Sequence, residues 1–366
     1  MTSCELPRIR ISDPSELIET VPYLLGFHPR QSLVLIGFAG GADGAGPQQV
    51  QVTVRLDLPD PPAAGLDAQA LRPLGEVLRR ADSEAVAAVL VTETVRGDPR
   101  ACDELVACRD LLAVTMAEAG IEVLDVPVAT ESRWWSLCCQ QRECCPSAGR
   151  ERVLGYSEAA AQATFAGLVA LPDRQAMAAT LAGRSAEQRS ALRPQLAAAE
   201  LAKAQVVQAE RAEGRGGLEQ AAVRRAVQVA ALLAAAAEAE AGAVTTGSAA
   251  ESQAELSAER LAGHAVALTD LAVRDAVWLA VDDGSAAAGR LMAELHTKLP
   301  SPYDAAPLFL FGWAQWRAGN ATLAMMTAER VLESQPGYSA AVLLLTAAQR
   351  GVDPRAVPAL SQGRPG

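Results

Sequence analysis

Strand-type patterning in this chain stops near residue 150, and that constrains the fold more than any other feature. After Gly155 no further apolar run or alternating segment reads as a strand, and the remaining sequence is alanine-rich with a helical period. A chain of 366 residues is long for a single core. The change of pattern therefore predicts an α/β head over residues 1–150, with a mixed sheet and crossover helices, followed by an all-α tail over residues 151–366.

Within the head, Asp13-Pro14-Ser15-Glu16 reads as a capped helix start, and Pro22 is expected to break that helix. Tyr23 to Pro29 then reads as a tight apolar turn. Ser32 to Phe38 is a continuous apolar run suited to a strand buried on both faces. A glycine-rich loop, Ala39 to Pro47, separates it from Val50 to Leu58, where apolar and polar residues alternate as in a half-exposed strand. These two strands are expected to pair as a hairpin, and Pro59 to Pro62 ends the second. Leu66 to Ala81 and Ala101 to Ala119 read as helices, and Val86 to Val91 and Ile121 to Val128 as strands. Their alternation implies crossovers and some parallel pairing. Arg133 to Ser136 adds a short last strand, and a cysteine loop follows it.

In the tail, helices are expected over Ser157 to Leu171, Pro172 to Ala182 and Ala186 to about Gly242, with breaks near Pro194 and Gly214 to Gly217. Ala243 to Ser252 reads as a polar linker. Residues 264–350 contain stacked helical hairpins. One hairpin turns at Asp283-Gly284. The next, Asp304 to Pro336, turns at Gly319-Asn320, and Ser339 to Arg350 closes the array. The spacing of Gly312, Ala314, Gly319, Ala324 and Pro336 resembles one tetratricopeptide unit.

Several function classes are disfavoured. A net charge of −11 argues against binding a nucleic-acid backbone, and basic residues are not interleaved with aromatics. No glycine-lysine phosphate loop, dinucleotide glycine spacing or paired-histidine metal motif is present. The start of the chain lacks the apolar core of a secretion signal, and Val227 to Ala237 is too short to span a bilayer. Seven cysteines without such a signal are expected to be reduced thiols in a cytoplasmic setting.

Two groups of residues carry chemistry. His28 enters the first buried strand, and pairing of the first two strands would bring it near Arg30, Ser32, Arg55 and Asp57. A histidine with an acid and a hydroxyl suits acid–base or nucleophilic work, while the plainer reading fixes a turn with His28 on a backbone carbonyl. Arg133 and Trp134 extend this candidate pocket. The second group is Cys138, Cys139, Cys144 and Cys145. Thiolates at this spacing suit zinc, a redox-active pair near Arg142, or simple packing. Adjacent cysteines seldom both reach one metal, so a metal site is expected to need His28 or a more distant cysteine.

Pro22-Tyr23-Leu24-Leu25-Gly26-Phe27-His28-Pro29 followed by Ser32-Leu33-Val34 resembles the opening signature of an actinobacterial domain-of-unknown-function family, DUF4192. Arg55 to Pro59, Arg133 to Ser136 and Cys144-Cys145-Pro146 with Gly149 are similar to its later landmarks. The resemblance covers most of the chain. It implies a cytoplasmic, bacterial protein and supplies no catalytic residue. Function is thus read three ways: a non-enzymatic interaction or regulatory protein with a protein partner on the helical tail, an enzyme or small-ligand binder at the head, or a zinc- or thiol-dependent module.

Overall fold

The computed structural model describes residues 11, 13–40, 49–58, 66–93, 95, 97–152, 157–165, 168–246 and 256–363. The chain forms two compact units, Met1–Met177 with Arg350–Asp353, and Ala178–Gln349 with Pro354–Gly366. The strand signals end near residue 150, and the unit they open extends to Met177.

The first unit opens with α1 (Pro14–Leu25), whose first turn is capped by the Asp13 carboxylate accepting from the Glu16 N–H at 2.9 Å. Pro22 does not break it. The missing N–H removes one helical hydrogen bond, but Leu17, Ile18, Val21 and Leu25 are buried and hold the last turn in place. The helix ends instead at Gly26, whose φ of 81° is the left-handed conformation of a C-terminal cap. Phe27 then bridges to Leu171 rather than turning freely.

The sheet contains β1 (Ser32–Ala39), β2 (Gln49–Asp57), β3 (Ala85–Val91), β4 (Glu122–Asp125), β5 (Pro127–Ala129), β6 (Arg133–Ser136) and β7 (Arg150–Glu151), in the order β2-β1-β3-β5-β6-β7 with β4 also on β3. β1 is antiparallel to β2, as the hairpin reading expects, and antiparallel to β3. The crossover through α3 (Asp103–Glu118) makes β3 parallel to β4 and β5. Ile121 to Val128 is thus two short strands, with Val126 between them. Leu33 and Leu35 of β1 join a core with Leu71 and Leu78 of α2 (Ala68–Arg80) and Leu105, Leu112 and Met116 of α3. Val34 and Ile36 on the other face are also fully buried, which explains the unbroken apolar run. The glycine-rich segment at 41–47 and Pro59 to Pro62 lie outside the described residues.

α4 (Glu158–Phe165) packs on α1. One buried ion pair ties α1 to the chain leaving β7: Arg152 Nε donates to Glu19 Oε1 at 2.8 Å, with both side chains more than nine-tenths buried.

The helices that follow are α5 (Arg174–Thr180), α6 (Ala186–Ser190), α7 (Arg193–Ala212), α8 (Arg215–Thr246), α9 (Ala258–Ala267), α10 (Leu271–Asp282), α11 (Ala286–Lys298), α12 (Ala305–Arg317), α13 (Ala321–Ser334) and α14 (Ser339–Gln349). The predicted break at Pro194 is the start of α7. The expected linker from Ala243 is helical through Thr246, because alanine-rich sequence prolongs a helix; positions 247–252 lie outside the described residues. From α11 to α14 each helix packs on the next. Aromatic rings of α10 and α12 meet: Trp278 lies edge-on to Phe309 and Trp313, both at 4.9 Å. Trp313 Nε1 donates to the buried carboxylate of Asp282 at 2.8 Å. Among the described residues no helix is long and apolar enough to cross a membrane.

Replacing Arg152 with Met should destabilise the first unit by about 3–5 kcal/mol, because it leaves the Glu19 carboxylate buried without its partner. Adding Glu19→Gln should recover part of the loss. Urea denaturation of the three variants checks this, and equal stability of wild type and Arg152→Met would refute it.

Candidate metal centre

Between β6 and β7 the chain makes the loop Leu137 to Gly149, and side chains of the sheet fix its course. Trp134 and Trp135, on opposite faces of β6, are both buried. The Trp135 indole N–H donates to the Ser147 carbonyl at 3.1 Å. Gly149 crosses this ring with φ at 76°, and a Cβ there would collide with the indole. Arg133 Nη1 donates to the carbonyls of Ala148 and Gly149 at 3.0 and 3.1 Å. The return of the loop is thereby set by three consecutive carbonyls.

The cysteines themselves are held by other residues. Arg100 is gripped by Asp98 through two hydrogen bonds, Nε to Oδ1 at 2.9 Å and Nη2 to Oδ2 at 2.7 Å, and its Nη1 donates to the Cys139 carbonyl at 3.1 Å. Hydrogen bonding to Arg100 holds the Asp98 carboxyl below its ordinary value. Arg150 Nε donates to the Cys144 carbonyl at 2.6 Å. Ser136 Oγ accepts the N–H groups of Cys138 and Cys139 and donates to Asp125 Oδ1 at 2.6 Å. The Cys145 N–H donates to the Gln141 carbonyl at 2.7 Å.

This framework brings the sulfurs of Cys139, Cys144 and Cys145 within 4.8 Å of one another. Two thiolates on a tetrahedral zinc ion lie about 3.8 Å apart, from a Zn–S bond of about 2.3 Å. The three sulfurs thus need only a small approach to hold one ion. A cavity of about 220 Å³ opens on them, lined also by Asp13, Pro14, Asp125, Trp134, Ser136 and Arg150. Contrary to the expectation from spacing, both members of the adjacent pair Cys144-Cys145 join the group. They can do so because the turn ending at Cys145 directs consecutive residues to one place. Cys138 is outside the group, beside Asp125, and His28 does not contribute.

The thiols differ in acidity. Backbone hydrogen bonding at Gln141 lowers Cys139, helped by the Cys145 and Cys144 thiols. Burial and the hydrogen bond to Cys139 push Cys145 up to about 11. Desolvation, with the Asp125 carboxylate adding to it, raises Cys138.

The other candidate residues lie along β1 and β2. Ser32 is paired with Asp57 in register. Its buried hydroxyl donates to the Arg30 carbonyl at 2.6 Å and accepts from Arg55 Nε at 2.9 Å. Arg55 also forms an ion pair with Asp57 and lies over the Phe27 ring at 5.4 Å. Ser32, Arg55 and Asp57 are therefore joined in one chain of contacts. His28 and Arg30 are exposed, and the His28 N–H donates to the Leu171 carbonyl at 2.9 Å. Although His28 is exposed as a residue, partial desolvation of its ring and the nearby Arg152 cation lower its pKa, with Glu19 opposing. Arg133 holds the cysteine loop, and Trp134 lines its cavity. Asp98, Arg100, Ser136, Asp125 and Arg150 were not singled out by sequence. Their roles depend on tertiary placement, and neither Arg100, just ahead of α3, nor Arg150, in β7, carries a local sign of it.

In metal-free protein at neutral pH, an alkylating reagent should modify Cys139 well before Cys145, since Cys139 is more accessible and carries more thiolate. Peptide mapping after a short iodoacetamide pulse measures the order, and faster labelling of Cys145 would contradict it.

Neither the curated proteins nor the solved structures contain a match to the chain. The family model described as "Domain of unknown function (DUF4192)" matches residues 14–355, taking in the sheet, the cysteine loop and nearly all of the helices. The chain belongs to the DUF4192 family.

Proposed function

We propose that this protein is a non-enzymatic, metal-dependent interaction or regulatory protein. Its head carries a zinc ion on the thiolates of Cys139, Cys144 and Cys145, and its helices offer a surface to a protein partner. The observation that carries the reading is the convergence of three sulfurs within 4.8 Å in a loop whose backbone is already bonded in place. Soft thiolate donors select zinc over the hard divalent cations. A reducing cytoplasmic setting keeps such thiols available, and all six cysteines among the described residues are free.

The partner surface rests on a separate feature. The α12–α13 hairpin has Gly312 and Ala324 buried where a tetratricopeptide-like unit needs small residues for close helix contact. Asn320 caps α13 at its turn through the Leu323 N–H, at 3.1 Å. Arrays of this kind commonly present one face to another protein.

An enzymatic role around His28, Arg55 and Asp57 would require a free hydroxyl or an acid–base pair there. The Ser32 hydroxyl is buried and engaged on both sides, which favours a structural part for that group.

Protein purified under reducing, oxygen-free conditions should bind one equivalent of zinc. Cys144→Ser and Cys145→Ser should each weaken zinc binding at least about tenfold, since losing even a hydrogen-bond partner of a metal ligand costs about 10–100-fold, while Cys138→Ser should retain it. Elemental analysis together with competition against a chromophoric chelator measures this. A wild-type protein without stoichiometric zinc affinity would overturn the reading.

A further inference from the structure

The donor set is incomplete as a structural zinc site. Closed sites supply four protein ligands, whereas sites that exchange a ligand supply three and leave a position open. Among the described residues three ligand atoms converge. Of the two carboxylates on the cavity wall, Asp125 uses Oδ1 to accept from Ser136 Oγ and from the Val126 N–H at 2.7 Å, and Asp13 uses Oδ1 to accept from the Glu16 N–H. The cavity of about 220 Å³ is bordered by all three cysteines, so the fourth apex of a bound ion is reachable from it.

The surroundings indicate what would sit there. Zinc with three thiolates carries one net negative charge, and an anionic fourth ligand adds a second. Arg100, on the Cys139 carbonyl, and Arg150, on the Cys144 carbonyl, place two guanidinium groups beside this charge. Arg150 also lies over the Trp134 ring at 6.0 Å. Trp134 lines the cavity and is 4% exposed, and its indole N–H, covered in this conformation so that a ligand reaches it only by a shift of the ring, has no acceptor among the described residues. A buried donor without an acceptor is unfavourable and is relieved by a ligand that brings one.

We propose, building on the zinc reading above, that the metal's fourth position is exchangeable and takes a low-molecular-weight thiolate whose carbonyl or carboxylate accepts from Trp134 Nε1. The exchange breaks a metal–water bond, forms a metal–sulfur bond and releases the thiol proton to solvent, with no change of oxidation state. The head would then read the concentration of a small thiol through its metal.

The test uses the full chain loaded with one equivalent of cobalt(II), whose visible spectrum reports each coordinated sulfur. N-acetylcysteine serves as the thiol with an acceptor and ethanethiol as the thiol without one. Titration with N-acetylcysteine should increase the sulfur-to-cobalt charge-transfer band to saturation. Trp134→Phe, which keeps the ring and removes the N–H, should weaken N-acetylcysteine binding about two- to tenfold, the equivalent of one hydrogen bond, and leave ethanethiol unaffected. Stoichiometric cobalt with a spectrum unmoved by either thiol would overturn the exchangeable position and leave the metal centre standing. A change of the cobalt spectrum on Cys138→Ser would do the same, by making Cys138 the fourth ligand. Failure to take up cobalt would overturn the metal centre and this inference with it.

Discussion

Arg100 and Arg150 each donate a guanidinium N–H to the backbone carbonyl of a cysteine in the converging group, Cys139 and Cys144. The rest of the site depends on these two contacts. A loop of consecutive polar carbonyls over a pair of buried tryptophans would leave its backbone poorly satisfied unless side chains met it. Here Arg109, Trp135 and Arg133 meet the carbonyls at the two ends of the loop, and Ser136 accepts from two of its N–H groups. Asp98 fixes Arg100 in turn, so the geometry of the sulfurs is inherited from a rigid scaffold rather than from the loop's own preferences.

This has a thermodynamic consequence. Small zinc modules that are unfolded without metal must order their chain on binding, and that ordering opposes affinity. In the present loop the ordering has been done by folding of the sheet, so a metal ion binding there would have little left to organise. The opposing term is electrostatic and protic. Burial and the hydrogen bond to Cys139 push the Cys145 thiol up to about 11, so a metal ion bound there would have to displace its proton. The same guanidinium groups that hold the loop would offset the negative charge of such a site.

The sheet was largely legible in the sequence because its signals are local. The unbroken run from Ser32 and the alternation from Val50 each correspond to one strand, the first buried as expected and the second half-buried along its length without alternation, and Gly120 stops α3 with φ at 76°. Pro22 misled, because a propensity rule was outweighed by burial of the residues around it. The site was half legible. The cysteine cluster is visible as composition, but which sulfurs converge depends on the turn at Arg142 to Cys145 and on contacts such as Arg100 to Cys139, thirty-nine residues apart. Spacing alone favoured one cysteine from each pair, whereas the fold unites Cys139 with both Cys144 and Cys145. His28 looked chemical because of its neighbours, yet the strand pairing connects Ser32, Arg55 and Asp57 to one another.

The central claim is that Cys139, Cys144 and Cys145 bind one metal ion together. Zinc K-edge X-ray absorption on the zinc-loaded protein tests it most directly. The account requires a shell of three sulfur scatterers at about 2.3 Å with one lighter atom in the absence of added thiol. A shell of nitrogen and oxygen alone would contradict it.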